Sequence, residues 1–321
     1  IMTDSVRGAG NAIFPNNTSA GDSDSTGGHL SAWNSDGFVL YGGSRVNVNT
    51  HGHVAWNWLA AGAPSGTALS IVAGLGAGTI TVSGNLDNAS QSVNQPSGFS
   101  ITKYTGTDAT NSADNLPHNL GAKPNFIVIK SLHNTAAWIA WHSGQSTGKN
   151  MRFDTNSAEY AHDVNGFING GTTGTTNIVL GGGSSGNSSV SGAGAAGYVC
   201  YAFHDVAGYS KFGSYKGNAN ADGPFVHTGF KPAMIIVKEI SPNARGWMIY
   251  DNIRSPANVI NIHLRPEVAN AEAGANAFNN LDFVANGFKW RSGTNSEPTN
   301  ESAIYLYAAW AETPFKYAAA E

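Results

Sequence analysis

Aromatic and imidazole side chains give this sequence its clearest potential for recognition chemistry. Trp141 and His142 are adjacent in the stretch that begins at Trp138. A flat indole ring matches the apolar face of a pyranose, and an imidazole can hydrogen-bond its hydroxyl groups. Side chains alternate across a strand, so Trp141 faces solvent if Trp138 faces the core. The spacing therefore predicts a sugar-binding surface at Trp141 and His142. Further candidate ligand-binding residues are Trp33, Trp290 and Asp251.

Patterns that could support catalysis are weak. The stretches 144–148 and 182–186 both fit G-x-S-x-G, but a nucleophile elbow joins a strand to a helix, and no convincing helix follows either stretch. Asp154, Glu159 and Asp163 are close in sequence, yet their spacing is ordinary for a loop, and glycoside hydrolysis needs two carboxylates on either side of one bond. We therefore expect no catalytic residues, and a polysaccharide depolymerase is the alternative.

Candidate metal ligands are also incomplete. His51 and His53 could share one face of a strand, but no third ligand follows at a suitable spacing. Asp22 and Asp24 alternate with small residues in a loop that lacks the closing glutamate of a calcium-binding EF-hand. We expect no cofactor and no metal, and a structural Ca²⁺ at Asp22 and Asp24 is the alternative to a solvated turn.

The composition narrows the class of protein. The chain has 321 residues, a formal net charge of −4, only 12% charged residues and 40 glycines. This mixture suits short strands joined by many turns. The chain has no basic run, which argues against a nucleic-acid partner, and no apolar stretch approaches the ~20 residues that span a bilayer. The single cysteine, Cys200, lies in an apolar run and is expected to be buried.

The sequence repeats itself. The stretch from Gly98 to Lys130 recurs from Gly208 to Lys238, with a shared Lys-Pro step and an apolar run that ends in lysine. Similar comparisons predict a second repeat over 98–207 and a third over 208–321. Residues 1–62 match the C-terminal half of a repeat, which predicts that the array continues upstream, and 63–97 are predicted to be a linker or edge-strand segment. Trp138 and Trp247 recur at equivalent positions, which indicates core residues.

These patterns predict an all-β fold. The apolar runs after proline are typical of buried strands, and the closing runs of each repeat place aromatics at alternate positions. We predict tandem antiparallel β-sandwich repeats of the jelly-roll or concanavalin-like kind. Residues 79–84 are predicted to be a strand, and residues 266–278 are either one short helix or a loop.

The repeat resembles tandem-repeat regions in large tail proteins of marine bacteriophages. The resemblance rests on "GFSITKYTGT" at 98–107, on the stretch from His118 to Pro124, on Trp138 to His142, and on "WAETPFKYA" at 310–318. It covers nearly the whole chain, and such regions are mostly uncharacterised or loosely described as concanavalin-like lectin domains. Asp251 stands in the third repeat where His142 stands in the second, which argues against a shared catalytic role.

The resemblance implies a non-enzymatic segment of a virion tail fibre or spike, extracellular after assembly. Its expected partners are a host cell-surface glycan or receptor and other virion proteins, and its expected state is a homo-oligomer, a trimer by analogy. Two other functions stay open: a depolymerase of the tail spike, and a purely structural virion or filament subunit.

Overall fold

The protein is built from antiparallel β-strands. The computed structural model describes residues 1–23, 29–42, 45–84, 86–106, 114–161, 173–181, 196–240, 243, 245–273, 280–293 and 299–313. The first twelve strands are β1 (Asn11–Ala12), β2 (Asp22–Ser23), β3 (Leu30–Asn34), β4 (Gly37–Leu40), β5 (Leu75–Thr79), β6 (Leu86–Asn94), β7 (Phe99–Gly106), β8 (Asp114–Pro117), β9 (Phe126–Ser131), β10 (Ile139–His142), β11 (Lys149–Arg152) and β12 (Tyr160–Ala161). The others are β13 (Asn177–Leu180), β14 (Ala196–Phe203), β15 (Ser210–Lys216), β16 (Phe225–His227), β17 (Pro232–Glu239), β18 (Trp247–Asp251), β19 (Leu281–Val284), β20 (Gly287–Trp290) and β21 (Ile304–Ala311).

No helix occurs in the described ranges, and the all-β prediction is confirmed. It follows that none of the described segments is a helix able to cross a membrane. The described part of the predicted helix-or-loop segment, residues 266–273, contains no helix.

The chain forms two compact units that do not coincide with the sequence repeats. Unit 1 contains Ile1–Lys123, Val128–Ile139 and His162–Ala202. Unit 2 contains Pro124–Ile127, Ala140–Ala161 and Phe203–Glu321. The second repeat therefore contributes chain to both units. Its segment Ala140–Ala161 belongs to the same unit as the third repeat.

In unit 1, the neighbouring strands run in the order β9-β14-β7-β6-β5. The β5–β6 and β6–β7 pairs are antiparallel, and β8 pairs with β13 in a separate two-stranded sheet. The segment 63–97 thus contains β5, at the end of the strand order, and β6, which is paired on both sides. The predicted strand at 79–84 is not formed. β5 ends at Thr79, and residues 80–84 are not part of a strand. The aromatic run at 53–60 also forms no strand.

Unit 2 contains a two-sheet sandwich. Its larger sheet has the order β15-β21-β17-β18 and its smaller sheet the order β16-β20-β19. Alternate residues of the larger sheet, such as Ile235, Val237 and Tyr250, join Phe283 and Phe288 of the smaller sheet in one buried cluster. Burial of each large apolar side chain stabilises a fold by ~1.5–3 kcal/mol, so this cluster stabilises unit 2 by holding its two sheets together.

The other face of the larger sheet in unit 2 is covered as well. Phe153 of the second repeat packs edge-on against Trp247, with ring centroids 4.9 Å apart. Phe203 packs against Trp310 at 5.7 Å. The segment that the second repeat contributes to unit 2 is therefore an apolar layer over the third repeat.

Two stacked tyrosine pairs show that the repeats share one geometry. In unit 1, Tyr104 stacks on Tyr198 with centroids 5.3 Å apart and planes 18° apart. In unit 2, Tyr215 stacks on Tyr305 at 5.0 Å and 13°. The pairs lie on equivalent strands, β7 with β14 and β15 with β21. The same sequence pattern thus builds the same core contact twice.

The second and third repeats each carry a pair of residues that we call the Lys–Trp clamp, formed by Lys130 with Trp138 in unit 1. Lys130, fully buried, donates from Nζ to the carbonyl oxygens of Thr18 and Ala136, both at 3.1 Å. Trp138 donates from Nε1 to the carbonyls of Phe14 and Asn17 at 3.1 and 3.0 Å. These bonds tie the first repeat's loop to the second repeat.

The clamp recurs in unit 2 as Lys238 with Trp247. Lys238 donates from Nζ to the carbonyl of Asn156 at 3.1 Å and to that of Arg245. Trp247 donates from Nε1 to the carbonyl of Arg152 at 2.9 Å. Burial lowers the pKa of Lys238 to about 8. Both clamps hold a loop of the preceding repeat, so each unit is completed by chain from an earlier repeat.

Candidate functional site

A polar cleft of about 380 Å³ opens in unit 1. Its volume lies within the range of ordinary small-ligand sites, ~300–1,000 Å³. All of its lining residues belong to unit 1. They are Arg7, Asn11, Gly21, Asp22, Lys103, Thr105, Leu132, His133 and Gly197.

The wall of the cleft is the face of the sheet opposite the stacked tyrosines. Lys103 and Thr105 flank Tyr104 on β7, and side chains alternate across a strand. Because Tyr104 faces the core, Lys103 and Thr105 face the cleft. Backbone pairing continues across the floor, where Gly21 donates to the carbonyl of Leu132 at 3.1 Å and Leu132 donates to that of Gly197 at 2.8 Å.

Two glycines keep this floor open. A Cβ atom on Gly21 would lie 3.6 Å from the carbonyl oxygen of Leu132, and one on Gly197 would lie 3.8 Å from Cδ1 of Leu132. Both are ordinary van der Waals distances, so packing does not require glycine at either position. In unit 2, Ile304 stands at the position equivalent to Gly197, next to the tyrosine of the stacked pair, and is 44% exposed. The open floor is thus a feature of unit 1.

Arg7 reaches the cleft from a buried polar network. It donates from Nε to Oδ2 of Asp4 at 2.5 Å and from Nη2 to the carbonyl of Met2 at 3.1 Å. Its Nη2 also donates to the hydroxyl of Tyr201 at 3.2 Å, and that hydroxyl donates to Oδ2 of Asp4 at 2.6 Å. Burial raises the pKa of Tyr201 well above its usual value, so its hydroxyl stays a neutral donor. The network fixes the guanidinium in place.

Asp22 lies at the rim in contact with two basic side chains. Its Oδ2 is 3.0 Å from Nη1 of Arg45 and 3.4 Å from Nε2 of the buried His29. Arg45 also lies over the ring of Phe14, 5.1 Å from its centroid. Asp24, the second predicted calcium ligand, lies outside the described residues. Within the described ranges, no group of three or more His, Cys, Asp or Glu side chains could hold a metal ion.

The expectation that Trp141 and His142 face solvent is wrong. Trp141 is 5% exposed and His142 is 2% exposed. Alternation along a strand places side chains in solvent only where one face of the strand is exposed, and every residue of β10 is buried. Nδ1 of His142 accepts a hydrogen bond from the Gly144 amide at 3.0 Å, and its Nε2 lies 3.0 Å from the carbonyl of Tyr307. Burial lowers the pKa of His142 to about 4, so a neutral imidazole donates to Tyr307.

Trp290 and Asp251 are buried too, at 0% and 1% exposure, so neither lies on an accessible surface. Trp290 packs edge-on against Tyr250 in the core of unit 2. The carboxylate of Asp251 accepts hydrogen bonds from the amides of Ile253 and Arg254 and from Nε of Arg254. Asp251 therefore belongs to a buried turn and not to the binding surface that the sequence predicted.

Trp33 is the one predicted aromatic ligand-binding residue that is exposed, at 40%. It lies on the β3–β4 hairpin and meets Phe38 edge to face, with centroids 6.3 Å apart. The equivalent hairpin of the third repeat places Phe283 opposite Phe288, both buried. Trp33 therefore offers a flat ring to solvent where the third repeat buries its aromatic.

The weaker motifs do not form sites in the described part of the chain. Ser146 of the first G-x-S-x-G stretch lies in a turn, and its amide donates to Oε2 of Glu159 at 3.0 Å. The second such stretch and Asp163 lie outside the described residues. His51 and His53 are exposed in a segment without strand structure, which removes the basis for a shared strand face.

Sequence reasoning missed the cleft because its residues come from separate segments that no local pattern connects. A signal was available in the repeat comparison. Lys103 precedes the core tyrosine of the second repeat, whereas Ser214 precedes that of the third. Repeats that share their cores but differ at one outer face point to that face.

Comparison with known families adds one assignment. A family model described as "Domain of unknown function (DUF7483)" matches residues 1–314. The chain belongs to the DUF7483 family. No curated protein matches the chain, and no solved structure does. The family description gives no activity, so the role of this DUF7483 chain has to be argued from its cleft and its exposed aromatic.

Proposed function

We propose that this chain is a non-enzymatic segment of a phage tail fibre or spike that attaches to a glycan on the host surface. The observation that supports glycan binding is the open floor of the cleft in unit 1. Gly21 and Gly197 leave space that packing does not require, and Lys103, Thr105 and Asn11 line it with polar groups. Sugars are recognised by such hydrogen-bonding groups together with a flat aromatic ring, which Trp33 offers elsewhere in unit 1.

The clamps support the fibre part of the proposal. A fibre that holds a virion to a cell carries load along its chain, and its repeats must not separate. Lys130 and Lys238 each bind carbonyl groups of two repeats. A homotrimer, which the resemblance to tail proteins implies, would present three clefts and raise a weak affinity by avidity.

Binding is favoured over hydrolysis by the charges in the cleft. Glycoside hydrolysis uses two carboxyl groups, ~5–9.5 Å apart. Within the described residues, Asp22 is the only carboxylate in the lining, and it is bound to Arg45. Among the described residues, no second carboxylate lines the cleft in support of the depolymerase alternative.

The proposal is tested by closing the cleft with the residue that unit 2 carries. Gly197→Ile copies Ile304 into unit 1, and the space around Gly197 admits its Cβ atom. We expect the full chain to bind at least one oligosaccharide on a broad glycan array and Gly197→Ile to lose that binding while its melting temperature stays close to that of the parent. The matched control, Ile304→Gly, should keep the binding.

Two results would overturn the proposal. Binding that survives Gly197→Ile would remove the cleft from the function, and an array without signal at high protein density would favour a structural subunit. Release of reducing ends from polysaccharides would refute the non-enzymatic part.

A further inference from the structure

We infer that the cleft of unit 1 binds an anionic sugar, with Lys103 and Arg7 contacting its sulfate or carboxylate group. This inference rests on the proposed glycan-binding function and names the class of glycan. It is carried by the distribution of charge around the cleft and by a difference between two equivalent arginines.

Among the described residues, Lys103 is the cationic side chain of the cleft lining that has no carboxylate partner. Arg7 is paired with Asp4, and Asp22 is paired with Arg45. Lys103 is exposed, and the structure records no ion pair for it within the described residues. The lining therefore carries an excess positive charge, to which His133 adds a further donor at the rim. The protein as a whole has a net charge of −4, so this cleft is a local exception.

Arg7 and Arg254 share two contacts and differ at Nη1. In Arg254, Nε binds Asp251 and Nη2 binds the carbonyl of Ile249, as the same nitrogens of Arg7 bind Asp4 and the carbonyl of Met2. Nη2 of Arg7 also binds Tyr201, whereas Nη2 of Arg254 lies 2.7 Å from Oδ2 of Asp251. The remaining nitrogen of Arg254, Nη1, lies 3.6 Å from Oε2 of Glu272. For Nη1 of Arg7, the described residues show no hydrogen bond and no carboxylate within ion-pair distance.

The side chain of Arg7 is only 4% exposed, and it lines the cleft. A guanidinium presents its donors in a fixed planar arrangement that suits carboxylate and sulfate-like groups. An anionic group in the cleft would take the place that Glu272 has beside Arg254. Hydroxyl groups of the same sugar can bond Thr105 and Asn11, which line the same cleft.

The test compares three oligosaccharides with one backbone: neutral, sulfated, and carboxylated at C6. Affinity is measured by calorimetry at 150 mM NaCl with the full chain. We expect the sulfated or the carboxylated form to bind at least tenfold more tightly than the neutral form, and the tighter of the two identifies the anionic group. Lys103→Gln removes the charge but keeps a polar side chain only one atom shorter, and it should weaken binding of the anionic form about tenfold, ~1.4 kcal/mol.

The control variant is Lys216→Gln. Lys216 is an exposed lysine next to Tyr215 on β15 of unit 2, on the strand equivalent to β7. It should leave the affinity unchanged, and an equal loss in both variants would mean that the anion binds through charge alone. Equal affinity for the neutral form, with no effect of Lys103→Gln, would refute the anionic sugar but leave the proposed function intact. Binding that is unchanged in Gly197→Ile would show that the sugar does not occupy the cleft. This result would refute both the anionic-sugar inference and the proposed function.

Discussion

Asp251 and Arg254 form a closed, buried turn, and Asp4 and Arg7 form the same turn in the first repeat. In each, one carboxylate oxygen accepts two backbone amides and the other accepts Nε of the arginine. The side chains of Asp251 and Arg254 are only 2% and 9% exposed. The carboxylate thus satisfies backbone and side-chain donors together, which explains why an aspartate and an arginine recur three residues apart.

Asp251→Asn should destabilise unit 2 by about 3 kcal/mol, because it leaves a buried guanidinium without its carboxylate. The measurement is the free energy of unfolding from denaturant titration. Asp222→Asn is the control, since the side chain of Asp222 is 84% exposed and paired with Lys289 at 2.6 Å. It should change stability little, as exposed ion pairs do. A small effect in both variants would contradict the structural role of the turn.

Gly287, which stands between Asn286 and Phe288 in an N-G-F motif at the start of β20, is predicted to be intolerant of any side chain. A Cβ atom there would lie 2.0 Å from the carbonyl oxygen of Val226, because β16 pairs directly with β20. Gly287→Ala should cost about 2–3 kcal/mol through overpacking. The equivalent glycine of the first repeat, Gly37, would place a Cβ in open space.

Gly37→Ala should therefore stay within about 0.5 kcal/mol of the parent. Thermal unfolding of the two single variants provides the comparison. Equal destabilisation by both would show that the motif needs glycine for its turn and not for the neighbouring strand.

His142 should make the protein sensitive to acid. Its pKa is lowered by burial to about 4 in the folded state, against about 6.5 for an exposed imidazole. The unfolded chain binds a proton more readily, so this contribution to stability is complete above pH 6.5 and is lost as the pH falls to about 4. The loss should reach about 3 kcal/mol.

The acid effect is measured as the difference in unfolding free energy between pH 7 and pH 4, for the parent and for His142→Gln. The variant lacks the titrating ring, so its pH dependence should be smaller by that amount. Parallel pH profiles for the two proteins would show that His142 does not titrate in this way.

Lys130→Met should loosen a loop that is distant in sequence. The substitution keeps most of the length of the side chain but removes the ammonium donor from the carbonyls of Thr18 and Ala136. The Thr18 carbonyl keeps the amide of Ala136 as a donor at 3.0 Å, whereas the carbonyl of the buried Ala136 loses the ammonium. A buried carbonyl left unpaired costs about 1–3 kcal/mol. Hydrogen exchange should rise at residues 14–18, with little change in unit 2. Unchanged exchange in that loop would show that the clamp does not hold it.

The elements of the fold were predictable where one local pattern determines them. The buried strands β9 and β17, which contain Lys130 and Lys238, followed from apolar runs behind proline, and the burial of Cys200, Trp138 and Trp247 is confirmed. These features depend on side-chain alternation and turn chemistry, which neighbouring residues encode.

Contacts between distant segments were not predictable from such patterns. Alternation in β10 predicted one wet face, yet Trp141 is buried because other segments cover both faces. The cleft and the two clamps depend on contacts between segments of different repeats. A single sequence records that only indirectly, through differences such as Gly197 against Ile304.

The offset between repeats and units has a genetic consequence. Lys130 binds a loop of the repeat before its own, and Lys238 does the same with Asn156. A duplication or deletion of one whole repeat gives every lysine a loop to bind, whereas a breakpoint within a repeat separates a lysine from its carbonyl groups. Recombination among copies should therefore lengthen or shorten such arrays only in whole-repeat steps.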